Sequence, residues 1–267
     1  MSKVILITGA SMGIGQATAS QLVRAGHRVY GTSRHPLHTA VDFHPLVMDV
    51  NDDESVQVAV SEVLQREQRV DVLINNAGLG IVGALEEVPD EMIRRVFDTN
   101  VWGLLRVCRA VLPAMRQQGS GLIVNVSSVA GVMGLPYRGI YSASKAAVEM
   151  LTESLRLEVR PFGVQVCSIL PGDVRTNINS NRLVATGPAH SPYRQSVSAI
   201  NAQIRAEVRQ ADTPAYIAES IEKIINESSV AAHYVAAPPV QKLAVWLKRW
   251  LPSRWFEALI KRSYGLD

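Results

Sequence analysis

The 267-residue chain is 47% hydrophobic and 19% charged, ample for one α/β domain with a large core and not obviously enough for two. Its net charge of +3 is unevenly placed, with six Lys/Arg from Lys242 onward against Glu257 and Asp267, and the near-neutral body lacks the basic, aromatic-interleaved stripe of a nucleic-acid protein. Cys108 and Cys167 sit among apolar neighbours and suit a reducing compartment, no apolar run nears the roughly 18 residues of a spanning helix, and Lys3 precedes strand-like Val-Ile-Leu-Ile rather than a signal peptide; a cytoplasmic protein without a metal site is expected.

Val4 to Ile7 is a short, continuously apolar run, as a strand buried on both faces should be, and Gly13 to Ala25 has helical periodicity closed by Gly26. Gly9, Gly13 and Gly15 lie between them. Such glycines let a backbone approach a pyrophosphate, while the helix N-terminus offers free N–H groups and partial positive charge. Arg28 to Thr32 is the second strand. An acidic residue closing it would bind a ribose 2′-OH, whereas Ser33 and Arg34 match a 2′-phosphate, which favours NADP(H) over NAD(H). Leu46 to Val50 is the next strand, and Asp52 to Gln68 a helix for which Asp49 is a candidate cap.

Val70 to Ile74 is a fourth buried strand, followed by Asn75-Asn-Ala-Gly78, whose amides can satisfy strand-end backbone groups. Asp90 to Gln117 reads as one long helix containing Asn100, an amide that needs partners if buried there. Gly121 to Ser128 is a buried strand ending in two serines. A helix from Ser142 onward places Lys145 one turn beyond Tyr141 on the same face. A cation beside a tyrosine favours the phenolate and brings its proton within reach of acid/base work.

Val164 to Leu170 is the sixth strand. Asn177 to Asp212 loses clear strand pattern, carries Gly187-Pro-Ala-His-Ser-Pro192, and reads as a substrate lid. A helix opened by Thr213-Pro214 and a seventh strand from Ala231 to Ala236 complete the alternation. The fold expected is α/β: a single Rossmann-type doubly wound domain over residues 1–237, its seven-stranded parallel sheet covered by helices on both faces. Residues 238–267 extend it with two short amphipathic helices, Leu243, Trp246, Leu247 and Trp250 before Pro252 and Trp255, Phe256, Leu259 and Ile260 after it. Two readings of this tail stand: apolar faces docked on the domain or a partner subunit, or basic, Trp-rich helices that make peripheral membrane contact through 242–262 or wall the substrate mouth.

Thr8-Gly-Ala-Ser-Met-Gly-Ile-Gly15, Asn75-Asn-Ala-Gly78, Asn100, Ser128, Tyr141 and Lys145, in this order, resemble the short-chain dehydrogenase/reductase family over residues 3–237. Within it, Gly26 to Arg34, Gly119 to Gly131 and the long tail are most similar to the retinol dehydrogenase-like and 17β-hydroxysteroid dehydrogenase-like branch. The resemblance implies that NADP(H) is held by Gly9, Ser11, Met12, Gly13, Ile14, Gly15, Ser33, Arg34, Asp49, Val50, Asn76, Ala77, Gly78, Tyr141, Lys145, Pro171, Gly172, Val174 and Thr176. Asp49 would meet the adenine edge, and Val174 and Thr176 would lie near the nicotinamide carboxamide.

The resemblance also implies roles: Tyr141 as general acid/base, Lys145 as the cation beside it and a ribose ligand, Ser128 as the oxygen-orienting hydroxyl, and Asn100 as a water-relay anchor. Ser127 competes with Ser128, which the family spacing of thirteen residues before the tyrosine favours. The activity implied is hydride transfer between nicotinamide and a lipophilic alcohol or carbonyl of steroid, retinoid or fatty type, in a homodimer or homotetramer paired through the two long helices. The alternative is a catalytically silent NADPH-binding scaffold or redox sensor on the same fold.

Overall fold

The computed structural model describes residues 2–175 and 182–266. The strands β1 (Val4–Ile7), β2 (Arg28–Ser33), β3 (His44–Val47), β4 (Val72–Asn75), β5 (Ile81–Val82), β6 (Gly121–Val126), β7 (Val164–Pro171), β8 (Leu183–Val184) and β9 (His233–Ala236) form two sheets. Seven of them make one parallel sheet in the order β3-β2-β1-β4-β6-β7-β9, and β5 pairs with β8 in a separate ribbon. Order reverses between β1 and β4, so a crevice opens there beyond the carboxyl ends of the strands.

Helices cover both faces because side chains alternate across each strand. Val4 and Leu6 of β1 point to one core, packed with Val60 of α2 (Asp53–Glu67), Val107 and Val111 of α4 (Gly103–Gln118) and Val148 of α5 (Gly139–Val159). Ile5 and Ile7 point to the other, where Ala19 and Leu22 of α1 (Gly13–Arg24) meet Ile217, Ile221 and Ile224 of α7 (Pro214–Ile225). Each such aliphatic side chain, fully buried, contributes about 1.5–3 kcal/mol, so the central strand alone anchors both layers.

The structure corrects several expected boundaries. The third strand is His44–Val47 rather than Leu46 to Val50, and the fourth is Val72–Asn75 rather than Val70 to Ile74. Val70 lies before β4, its backbone N–H and carbonyl both bonded to the Gln118 side chain at 3.0 Å. Asp52, not Asp49, caps α2, accepting from the N–H groups of Glu54 and Ser55. The expected long helix is α3 (Asp90–Phe97), a π-helical segment Asp98–Trp102, and α4.

The largest correction concerns the irregular chain expected over 177–212. Where 177–212 reads as irregular, the described part holds β8 and α6 (Arg194–Gln210), a helix with its own buried stripe. Val197, Ile200, Ile204 and Val208 repeat at helical spacing and pack with Val82 and Ala84. The tail forms α8 (Pro239–Trp250) and α9 (Ser253–Tyr264), as its spacing indicates. No described helix is long and apolar enough to cross a membrane.

Candidate active site

Gly9 and Gly13 adopt φ of +66° and +59°, the left-handed region that favours glycine, and so turn the chain from β1 into α1. A Cβ on Gly15 would fall on the Gly9 carbonyl and the Asn76 amide, so only glycine lets the first helical turn close on this loop. The loop is held from the side by the end of β4. Thr8 Oγ1 accepts from the N–H groups of Asn76 and Ala77, both at 2.9 Å, while Asn76 Nδ2 donates to the carbonyls of Thr8 and Gly9 at 2.9 Å.

At the start of α1, Met12 supplies no capping hydrogen bond and the first turn carries no acidic side chain. Uncapped N–H groups beside a glycine cradle fit a pyrophosphate. These observations make the residues present suitable for a dinucleotide. Ser33 and Arg34 follow at the end of β2; Arg34 is exposed, whereas the Ser33 hydroxyl is buried and donates to the His35 carbonyl at 2.6 Å. The serine is therefore engaged within its own turn, and Arg34 is left as the cation at this corner. Asp49 Oδ1 accepts from the Asn51 N–H at 3.0 Å, and Arg106 ties the Val50 carbonyl to Asp98.

The chemistry-bearing side chains gather where β6 ends and α5 begins. Ser128 Oγ accepts from the Ala130 N–H at 3.1 Å, which fixes its rotamer. Ser127 instead turns toward the Lys145 carbonyl at 3.4 Å. Lys145 is 5% exposed and donates from Nζ to the Val126 carbonyl at 2.7 Å. Burial lowers its pKa below the ordinary lysine value, and the neighbouring Tyr141 and Glu149 oppose that shift. Tyr141, one turn earlier, is partly exposed and carries the Arg138 guanidinium 5.5 Å over its ring.

Asn100 is 2% exposed in the π-helical segment. Its Oδ1 accepts from the Leu79 N–H at 2.7 Å, and its Nδ2 donates to the Leu79 carbonyl and to Ser144 Oγ, both at 3.0 Å. Ser144 in turn donates to the Tyr141 carbonyl at 2.8 Å. Asn100 thus pins the loop after β4 to the second turn of α5, and Ser144, which the sequence reading passed over, completes the link. Deeper still, Asn75 donates to Asn125 and Asn125 to Thr152, both at 2.9 Å.

One cavity of about 650 Å³ runs across this edge of the sheet. It is lined by Gly9, Ser11, Met12, Gly13, Ile14, Ser33, Arg34, Asp49, Val50, Asn76, Ala77, Gly78, Ser128, Tyr141, Lys145, Pro171, Gly172 and Val174. Gly15 and Asn100 stand behind the lining and act on it through their neighbours. Thr176 lies outside the described residues.

The same cavity has a wall to which the expected lid contributes Arg182, Glu207 and Val208 and the tail Ile260 and Tyr264, while Leu79, Ile81, Met133, Leu135 and Arg138 were not identified from the sequence. Leu79, Ile81, Met133, Leu135, Val208 and Ile260 give it an apolar surface, with Arg138, Arg182, Glu207 and Tyr264 among them. Burial and the nearby Arg138 push Arg182 down to about 10, which leaves it cationic at neutral pH. Gln241 of α8 joins the tail to the segment after β7: its Nε2 donates to Asp173 at 2.6 Å and its Oε1 accepts from the Asp173 N–H at 3.2 Å. The helical stripe on α6 and the apolar spacing of the tail, which includes Ile260, are sequence signals for part of this wall.

Residues 3–185 match the family model described as short chain dehydrogenase. A 3-ketodihydrosphingosine reductase from Bacteroides thetaiotaomicron is 41% identical over 266 residues, 99% of this chain and 98% of that one. A short-chain dehydrogenase from Streptomyces avermitilis superposes with a TM-score of 0.79 at 34% identity, covering 93% of this chain and 96% of that chain. A short chain dehydrogenase/reductase from Burkholderia phymatum in complex with NAD gives 0.78 at 28% identity, covering 92% of each.

Proposed function

This chain belongs to the short-chain dehydrogenase family, and from that membership we propose that it is an NADP(H)-dependent oxidoreductase acting on a lipophilic alcohol and its carbonyl counterpart. The observation that carries the reading is that Ser128, Tyr141 and buried Lys145 line the same cavity as the glycine cradle on one side and the apolar wall on the other.

Gly9, Gly13 and the start of α1 would hold a nicotinamide dinucleotide, whose reduced form would supply hydride to a carbonyl carbon. Ser128, with its rotamer fixed by the Ala130 N–H, donates to the carbonyl oxygen and orients it. Tyr141 delivers its phenolic proton to that oxygen as negative charge builds there, and takes it back from the alcohol in the reverse direction. Lys145 places a positive charge behind the phenol and would hold the ribose of a bound cofactor. Asn100 is a positioning residue that joins Leu79 to Ser144 and, as the resemblance implies, would anchor the water through which the proton is replaced.

Substrate class follows from the wall. Leu79, Ile81, Met133, Leu135, Val208 and Ile260 favour an apolar chain or ring. The name of the Bacteroides relative, a 3-ketodihydrosphingosine reductase, supports a long-chain ketone of fatty type over a steroid or retinoid. The test is a panel of long-chain ketones, steroid ketones and retinal mixed with NADPH or NADH and followed by nicotinamide absorbance. Turnover is expected to be fastest with NADPH and a long-chain ketone. No turnover of any member, despite saturable cofactor binding, would favour a non-catalytic role.

A further inference from the structure

The two C-terminal helices are attached to the domain by one face each. On α8, Val245 is 9% exposed and Gln241 bonds Asp173; on α9, Phe256 is 5% exposed, with Ile260 and Tyr264 packed beside it. Lys248 stands 5.0 Å over the Phe256 ring and closes the seam between them. These contacts account for how the helices dock. They leave a second apolar stripe unused.

That stripe runs along the outward side. Val240, Leu243, Trp246 and Trp250 repeat at helical spacing on α8, and Trp255 and Leu259 on α9, all of them exposed; Trp250 reaches 72% and Trp255 60%. Six of the fourteen exposed large apolar side chains among the described residues therefore fall within residues 240–259. A docked amphipathic helix has no need of a second apolar face. Trp246 and Trp250 also contact each other, ring centroids 6.4 Å apart, instead of tucking under the domain.

Charge says what covers this face. Of the chain's 27 basic and 24 acidic side chains, residues 242–262 hold six basic and one acidic, leaving 21 against 23 elsewhere. Lys242, Arg249, Arg254, Lys261 and Arg262 are exposed beside the tryptophans. Tryptophan bordered by lysine and arginine suits the interface between acyl chains and anionic headgroups. Val240 joins this stripe to the active-site cavity, since it is 79% exposed and also lines the cavity rim with Gln241 and Ala244.

We propose that the outward face of α8 and α9 seats on an anionic lipid bilayer, holding the rim of the cavity against the membrane surface. A lipophilic substrate then passes from the acyl layer over Val240 without crossing water. The docking claim stands independently of the proposed reaction, because it concerns side chains outside the catalytic machinery.

The test uses the full-length protein with vesicles of phosphatidylcholine alone and of phosphatidylcholine with phosphatidylglycerol, at low and high salt. Sedimentation is expected to favour the anionic vesicles by at least about tenfold at low salt, falling with added salt. Tryptophan emission is expected to shift to the blue, since three of the four tryptophans lie in this face. A variant carrying Trp246→Ser, Trp250→Ser and Trp255→Ser is expected to lose vesicle binding while keeping its melting temperature and NADPH titration. If the wild-type protein ignores anionic vesicles at low salt, the proposal is overturned. It is equally overturned if the triple variant still binds vesicles, or if its main effect is to convert a larger species to a smaller one in lipid-free sedimentation, which would make the stripe a contact between two copies of this chain.

Discussion

Lys145 sends its ammonium back to the carbonyl of Val126, 2.7 Å away, so the cation of the site is fastened to the end of the strand that also presents Ser128. Burial depresses its pKa, which makes the unfolded chain the better proton acceptor. The sign follows: stability of the cofactor-free protein rises with pH between the lowered folded value and the ordinary lysine value of about 10.4, and is lost again as pH falls through the folded value. Lys145→Met is expected to flatten this rise in urea titrations across alkaline pH. It is also expected to lower kcat/KM on a ketone by about 10²-fold or more.

Tyr141→Phe keeps the ring beneath Arg138 and removes only the transferable proton. Turnover is expected to fall by about 10²-fold or more, while NADPH affinity in a fluorescence titration changes little. A variant retaining more than half of wild-type kcat would displace Tyr141 from the acid/base role.

At the end of β2, the Ser33 hydroxyl is occupied by the His35 carbonyl, and Arg34 is the group free to meet a 2′-phosphate. Hydrogen bonds to charged groups contribute about 1.5–3 kcal/mol, so Arg34→Ala is expected to weaken NADPH by roughly 10–150-fold and NADH hardly at all. Ser33→Ala should have much the smaller effect. Wild-type protein binding NADH more tightly than NADPH would reverse the cofactor assignment.

Gly15→Ala tests the cradle. Its new methyl meets the Gly9 carbonyl and the Asn76 amide, which are bonded to each other at 2.9 Å, so the turn must open. NADPH affinity is expected to drop by about tenfold or more, with a destabilisation of about 1–3 kcal/mol in denaturant unfolding. Alanine at Gly134, where a Cβ would have open space around it, is the matched control.

The parts legible in the sequence are those written in neighbouring residues. β1 announces itself as an unbroken apolar run, and β6 as an apolar run interrupted by Asn125, because both faces are buried; the glycine turn follows β1 directly, and Tyr141 and Lys145 are related by one helical turn. What escaped depends on distant partners. The two-residue strand β5 exists because Leu183 and Val184 lie across from it. The role of Gln241 becomes visible only when α8 reaches Asp173, and the apolar wall draws on segments as far apart as Leu79 and Ile260. Helix α6 was within reach, but polar residues between its four buried aliphatics obscured the period over a stretch rich in Gly and Pro at its start.

The π-helical turn at Asp98–Trp102 gives the long helix a fixed phase as well as a direction. Taking one residue out would let it wind regularly, but would rotate everything before the cut by about 100° relative to α4. Val96 would leave the cluster it shares with Ile81 and Val88, and the Asn100 amide would turn away from Leu79 and Ser144 together. Length is thus as strictly specified here as residue type: these five residues are the place in a 29-residue helical run from Asp90 to Gln118 where chain count and side-chain chemistry cannot be varied separately.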